Sequence, residues 1–268
     1  MLPKRQPGQS FFPKYAFALG KAYANFYKTG AKAIYANFKA CRPIQAELDT
    51  KYDGSLSRAI EDGSIDRNKF QLLTRSWFDV KRVPIFALVF ALCGEFTPVV
   101  VIAMPAMVPY VCRIPRQIEG DRKKVEARRS RSFRNLTTDL PAQGQGVKDL
   151  QRMQLLHISW SLGLSSSAWD WLGGRLPGLP TMILRRKVAR TVHHLELDDK
   201  LIKRHGRVRE MNLEEVRIAL GERGVDVLGI GEQQLRSLLS SWVESRDVAS
   251  VERLLLTRPS VWPSQKHK

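Results

Sequence analysis

The sequence lacks the residues and motifs on which several classes of protein depend. Only three cysteines occur among 268 residues, and no CxxC pair is among them. That excludes a secreted disulfide framework and leaves no cysteine-based zinc site. No GxSxG or Walker motif occurs, and Gly229 and Gly231 have neither the third glycine nor the preceding strand of a dinucleotide fingerprint. The sequence therefore predicts no enzyme, no cofactor and no metal site.

The five histidines do not combine into a metal site either. His193 and His194 are adjacent and so point to different faces of a helix. With His157, His205 and His267 they complete no HExxH or comparable spacing. We expect these histidines to be exposed to solvent or to cap helices.

Acidic residues are missing from the first 46 positions, which hold eight lysines and arginines. A basic N-terminus without acids is the composition of a mitochondrial targeting segment. On a helical wheel, five lysines fall on one narrow face and four apolar residues lie roughly opposite. Such a helix either packs on the rest of the protein or lies in a membrane interface. The lysines are Lys14, Lys21, Lys28, Lys32 and Lys39, and the apolar residues are Leu19, Tyr23, Phe26 and Ile34.

Charge is almost missing between Val83 and Cys112, where Glu95 is the only charged residue in thirty. A hydrocarbon core of about 30 Å needs about 20 helical residues, so the run predicts one transmembrane helix over about Pro84–Met104. The prolines at positions 98, 105 and 109 predict an irregular exit over the remainder. A buried hairpin in a soluble core is the alternative. Both flanks are basic, so the positive-inside rule does not choose an orientation.

Glu95 is the candidate for ion-linked or proton-linked chemistry. A central charge in a membrane costs about 2.5–3.5 kcal/mol on insertion scales, and an intramembrane carboxylate is a functional hypothesis by default. The alternative is a protonated or interface-level side chain held by backbone groups freed near Pro98. Both interpretations stay open, and Glu95 and Pro98 are the candidate ion-linked residues.

Helical patterns fill the rest of the chain, and no strand alternation of convincing length occurs. Residues 113–134 hold nine lysines and arginines against three acids and predict a basic helix, followed by a flexible linker over 141–146. Asp198 is expected to cap a short helix that Gly206 stops. The region is therefore predicted to be all-α. An apolar stripe precedes Asp198 at helical spacing and consists of Leu184, Val188, Val192 and Leu195.

Two short helices joined by a glycine-bounded link come next. Asn212 and Glu215 have capping-box spacing, and Gly224 ends the first helix. The pair resembles the SAP-type helix-extended-helix module, which binds nucleic acid. The second helix carries the stripe Leu235, Leu238, Leu239, Trp242 and Val243.

A dense basic stretch precedes this module. Nine lysines and arginines lie within the twenty-five positions 185–209, against three acids, and the chain as a whole carries a formal charge of +18. Such a stretch is either a solvated face or a surface that contacts phosphates. The candidate ribosome-binding or RNA-binding residues are Arg185, Arg186, Arg190, Lys200, Lys203, Arg204, Arg207 and Arg209.

The order of these parts resembles the leucine-zipper/EF-hand transmembrane family, the Letm family, from about residue 20 to 258. The resemblance rests on a helix leading into Val83 and Pro84, on Glu95 followed by Pro98, and on three later blocks. These blocks are the prolines at 105 and 109, the Leu195–Ile202 segment, and the helix-link-helix ending at Trp242. The chain has no coiled coil after the domain and no intact EF-hand, and so looks like the short Letm-domain members.

The resemblance implies a mostly α protein of the mitochondrial inner membrane, with one transmembrane helix and an all-α domain in the matrix. It implies a non-enzymatic protein that binds the mitochondrial ribosome, through protein or rRNA, and supports potassium/proton homeostasis or translation-coupled membrane insertion. Alternatives are a cation/proton exchanger acting as a homo-oligomer and a soluble SAP-like nucleic-acid binder. Inner-membrane lipids are the other expected partner.

We predict six regions along the chain. They are a basic N-terminal segment (1–45), a pre-membrane helical region (46–82), the transmembrane segment and exit (83–112), a basic helix and linker (113–149), the ribosome-binding-like domain (150–258) and a tail (259–268).

Overall fold

The computed structural model describes residues 16–93, 109–113, 115–136, 146–166, 169–170, 178–204 and 207–262. These residues form helices and turns, with no strand among them, so the all-α prediction is confirmed for this part of the chain. The chain divides into two units, Met1–Ile118 and Glu119–Lys268, and each has a core of its own.

The first unit is built from four α-helices and one 3-10 turn in its described residues. Asp66 caps the third helix, since its carboxylate accepts a hydrogen bond from the Lys69 amide at 2.8 Å. Ser55 caps the second, and Gly63 ends it with a φ of 85°. The helices are α1 (Ala16–Tyr52), α2 (Leu56–Asp62), α3 (Arg67–Val80) and α4 (Val83–Cys93), and the turn is Tyr110–Cys112.

Helix α1 separates a packed side from a lysine side, as the wheel predicts. Tyr27, Ile34, Cys41 and Leu48 recur every seventh residue and are buried, because this side of α1 packs against α3 and the Tyr110–Cys112 turn. The packed-helix alternative therefore holds for the described side chains. Four lysines of the opposite face are exposed, and they are Lys21, Lys28, Lys32 and Lys39.

The apolar segment is described only at its two ends. Helix α4 covers the first 11 residues and contains no charged residue. Glu95, Pro98 and most of the predicted Pro84–Met104 span lie outside the described residues. Within the part that is described, no helix combines the length and the apolar character needed to cross a membrane. The single span remains a prediction.

The second unit holds six further α-helices in its described residues, the first of which begins before the unit boundary. They are α5 (Pro115–Asn135), α6 (Arg152–Ser161), α7 (Thr181–Arg204), α8 (Leu213–Glu222), α9 (Glu232–Ser245) and α10 (Val251–Leu255). The capping box is confirmed, because Asn212 and Glu215 exchange side-chain and backbone hydrogen bonds of 2.9 and 3.3 Å. Gly224 ends α8 with a φ of 74°.

The core of this unit joins the predicted stripes. Leu184, Val188, Val192 and Leu195 of α7 are all buried, and α9 contributes Leu235 and Leu239. Trp242 is fully buried and meets Trp262 edge to face, with ring centroids 5.1 Å apart. The prediction that Asp198 caps a new helix is wrong, since α7 runs without a break from Thr181 to Arg204.

Candidate nucleic-acid interface

Four of the exposed basic side chains of α7 lie on one face. Arg186, Arg190, Lys200 and Arg204 are all exposed, and steps of four, ten and four residues place them within a narrow arc at 100° per residue. His193 lies in the same arc and comes within 3.9 Å of Glu196. We call these five residues the outer face of α7.

The other four predicted residues are placed differently. Arg185 is half-buried, and its guanidinium donates to the Leu150 carbonyl at 3.4 Å, so it braces α7 against the domain. Lys203 pairs with Asp247 across to the segment after α9. Arg209 is exposed in the following 3-10 turn, while the side chain of Arg207 lies outside the described set.

Under the outer face, α7 carries two buried aspartates that sequence reasoning missed. Asp198 and Asp199 are 0% and 3% exposed. The guanidinium of Arg223, at the end of α8, donates to Asp198 at 2.8 Å and to Asp199 at 2.6 Å. Burial opposes the charge on Arg223, but Asp199 and Asp198 outweigh that effect and raise its pKa above the ordinary value.

Asp199 also ties α9 to α7. It accepts hydrogen bonds from Trp242 Nε1 at 3.1 Å and from Arg246 Nε at 3.1 Å. Two carboxylates thus meet two guanidiniums, and the buried network is neutral, as burial of charge requires. The sequence does contain a signal for these buried aspartates. The helical spacing of apolar residues continues without a break through Leu201 and Ile202, which places Asp198 and Asp199 inside a helix.

The SAP-like module has few basic groups left for a ligand. Arg223 is buried in the network, Arg217 pairs with Glu214 at 3.5 Å, and Arg236 pairs with Glu232 at 2.8 Å. Each of these guanidiniums is therefore paired with a carboxylate, that of Arg223 in α7 and the other two within the module. The helix-link-helix packs the domain together, and α7 presents the cations.

Helix α5 directs part of its basic sequence into the same domain. Arg129 is buried and donates two hydrogen bonds to the Ser161 carbonyl, at 3.2 and 2.8 Å. Arg128 pairs with Asp170 at 3.0 Å, and Arg122 pairs with Glu214 at 3.1 Å. The predicted basic helix is confirmed. Four of its cations remain exposed on one face: Lys123, Lys124, Arg131 and Arg134.

His157 contradicts the prediction of solvated or capping histidines. It is 1% exposed, and its Nδ1 lies 2.8 Å from Ser132 Oγ of α5. Its Nε2 lies 3.3 Å from Ser161 Oγ. Burial lowers the pKa of His157 to about 4. A neutral imidazole thus fastens α5 to α6.

Glu95 and Pro98 lie outside the described residues, and their ion-linked role stays a prediction. In the ranges that the structure covers, no group of three His, Cys, Asp or Glu side chains is placed to hold a metal ion.

Comparison with known proteins finds one match, to the helical domain. Residues 143–261 match the family model described as LETM1-like, RBD, which covers α6 to α10. No curated protein and no solved structure matches the chain. The predicted resemblance is thereby confirmed over the helical domain: residues 143–261 form a domain of the LETM1-like RBD type.

Proposed function

We propose that this chain is a mitochondrial inner-membrane protein whose helical domain binds the mitoribosome. Its role is to support potassium/proton homeostasis or translation-coupled membrane insertion. The observation that carries the proposal is the outer face of α7, a row of exposed basic side chains on a domain of the RBD type.

The chemistry of this row favours rRNA phosphates over a protein surface. Arg186 and Arg204 are 18 residues apart, which is about 27 Å along a helix at 1.5 Å per residue. Arginine and lysine neutralise phosphates, and a protein that does so binds by releasing counterions. The row is held rigid because the opposite side of α7 packs in the core and its carboxylates are neutralised by Arg223 and Arg246.

One feature of the first unit supports a mitochondrial location, and a second supports membrane attachment. The first 46 residues contain no acid, as in a mitochondrial targeting segment. The stretch from Val83 to Cys112 contains a single charged residue, which suits contact with lipid.

The test compares two sets of four neutralising substitutions in the full-length protein. In the first, Arg186, Arg190, Lys200 and Arg204 are changed to Gln. In the matched control, the exposed cations of α5 are changed instead: Lys123, Lys124, Arg131 and Arg134. Both sets change the net charge equally, and co-sedimentation with purified mitoribosomes is measured against salt concentration.

The wild type and the control should bind with a steep salt dependence. Each phosphate that the protein no longer neutralises lowers the slope of log affinity against log salt by about 0.7–0.9, so the α7 variant should show a slope smaller by about three units. Equal weakening of binding in both variants would mean that the net charge of the protein, and not the outer face of α7, determines the affinity. Undiminished binding by the α7 variant would assign the ribosome-binding surface to another part of the protein.

A further inference from the structure

The four cations on the outer face of α7 are grouped in two pairs. Arg186 and Arg190 are about one helical turn apart, and Lys200 and Arg204 repeat this spacing. Lys200 comes ten positions after Arg190, which is about 15 Å along the helix at 1.5 Å per residue. The centres of the two pairs are about 21 Å apart on the same scale. The face therefore offers two separate positive sites, one toward each end of the helix.

A histidine and a carboxylate occupy the stretch between the pairs. The side chains of His193 and Glu196 are 59% and 43% exposed, and Nδ1 of the histidine lies 3.9 Å from Oε2 of the glutamate. A chain of phosphates lying along the whole helix would have to pass this carboxylate, and the negative charges would repel each other. Two anionic strands that meet only the ends of the face avoid that repulsion.

Helix α7 also lacks the aromatic side chains on which unpaired bases stack. None of its 24 residues is Phe, Tyr or Trp. Proteins that bind single strands combine a positive groove along the backbone with such aromatic platforms. The outer face has neither feature, so its chemistry does not suit single-stranded RNA.

The spacing between the pairs is fixed by the packing behind them. Helix α7 is unbroken from Thr181 to Arg204, and its opposite side is buried in the core. The buried Asp199 ties the second half of the helix to Trp242 and Arg246. A helix held in this way cannot wrap around a flexible strand. It can lie across a rigid ligand whose own phosphates have a fixed spacing.

Double-stranded RNA has the required arrangement of groups. Its wide, shallow minor groove is bordered by two phosphate backbones and displays the 2′-hydroxyls between them. A 2′-hydroxyl donates and accepts hydrogen bonds, and imidazole and carboxylate groups can serve as its partners. B-form DNA has no such hydroxyl, and its minor groove is only about 6 Å wide. A helix lying across the RNA groove therefore places cations on both backbones and polar groups over the hydroxyls.

We propose that the outer face of α7 binds double-stranded RNA across its minor groove. Each pair of cations contacts one of the two phosphate backbones, and His193 and Glu196 meet the 2′-hydroxyls between them. This mode of binding rests on the proposed function, in which rRNA phosphates are the ligand. It specifies the form of the RNA and the residues that distinguish RNA from DNA.

The ligand class is tested with the detergent-solubilised full-length protein and three fluorescent probes. They are an RNA duplex of about 20 base pairs, somewhat longer than a duplex-binding domain spans, one of its strands, in a sequence that cannot pair with itself, and the DNA duplex of the same sequence. Affinities are measured by fluorescence anisotropy at one salt concentration. The RNA duplex should bind at least about fivefold more tightly than either other probe, the equivalent of one hydrogen bond.

The double variant H193A/E196A tests the contact with the 2′-hydroxyls. The preference for the RNA duplex over the DNA duplex should fall toward one. The altered net charge affects both duplexes alike, so it cancels in this ratio. The matched control E119Q/K123Q removes an exposed ion pair of α5 and should keep the wild-type ratio. An unchanged ratio in H193A/E196A would overturn the assignment of these two residues.

Equal or tighter binding of the single strand would overturn the inference, and so would equal binding of the two duplexes by the wild type. If no probe binds while mitoribosome binding still depends on the α7 cations, the face contacts a ribosomal protein and only this inference fails. Mitoribosome binding that does not depend on these cations contradicts the proposed function instead. A duplex preference that H193A/E196A abolishes would stand even then.

Discussion

Arg223 and Asp198 form an ion pair at 2.8 Å in which neither side chain has any solvent exposure. The same guanidinium reaches Asp199, and through it Trp242 and Arg246. This arrangement fixes where α8 ends relative to the middle of α7. It also neutralises, from beneath, the two carboxylates that would otherwise reduce the positive potential of the outer face.

Removing Arg223 should therefore be among the most damaging single changes in the second unit. R223M leaves two buried aspartates without their main partner, and breaking a buried pair in this way costs about 3–5 kcal/mol. Urea unfolding of a fragment covering residues 115–268 measures the loss. The control R217Q breaks a partly exposed pair with Glu214 and should cost about 1 kcal/mol or less. Similar losses in the two variants would contradict the structural role of the network.

Helix α5 should be needed for the stability of the domain, although it precedes the matched residues 143–261. A fragment of residues 143–268 exposes the Ser161 carbonyl and His157, which Arg129 and Ser132 otherwise cover. We expect this fragment to unfold at a clearly lower urea concentration than residues 115–268. R129M in the longer fragment should reproduce a part of that loss. Equal midpoints for both fragments would show that α5 contributes nothing.

His157 should make the stability of this domain depend on pH. The unfolded histidine takes up a proton below about 6.5, whereas the folded one stays neutral until about pH 4. The unfolded state thus binds more protons between these values. The stabilisation is complete above pH 6.5 and is lost as the pH falls toward 4, by up to about 3 kcal/mol.

H157Q keeps hydrogen-bonding groups but cannot titrate, so its stability should fall less steeply over this window. The exposed His193 provides the control, and H193Q should keep the wild-type slope. Urea midpoints at pH 7, 6, 5 and 4 give the comparison, because carboxylates that titrate near pH 4 contribute equally to all three proteins. Parallel curves for H157Q and wild type would rule out His157 as the source.

The close approach of Gly30 and Cys112 should show up as coupling between two substitutions. G30A adds a methyl group 2.5 Å from the thiol and should destabilise the first unit, by about 1–3 kcal/mol as overpacking usually does. C112A removes the sulfur and leaves its Cβ 3.7 Å away, which is an ordinary van der Waals distance. The double variant G30A/C112A should therefore recover most of the stability, as measured by thermal unfolding of the detergent-solubilised protein. Purely additive effects would mean that the two residues do not touch.

Local patterns were enough to predict much of the helical framework. The capping box of Asn212 and Glu215 and the stop at Gly224 depend on hydrogen bonds between residues three to five apart. The stripe that begins at Leu184 depends only on the period of the helix. The Letm resemblance was equally available, because it rests on the order of short blocks along the chain.

The tertiary structure alone decided which polar residues face inward. Asp198 has the sequence environment of a helix cap, yet it is buried because Arg223, 25 residues later, brings it a partner. Arg185 and Arg186 are neighbours of the same type, but only Arg186 is exposed, since Arg185 donates a hydrogen bond to the Leu150 carbonyl. His157 is shielded from solvent because α5 closes over it.

The apolar segment shows the same division between local pattern and packing. Thirty residues with a single charge predict a span by length alone. In the structure, Phe86 and Cys112, near the two ends of that segment, both pack against one turn of α1. Contacts that follow the helical period can be predicted from the sequence. Contacts between residues that are far apart in the chain form only when the helices pack together.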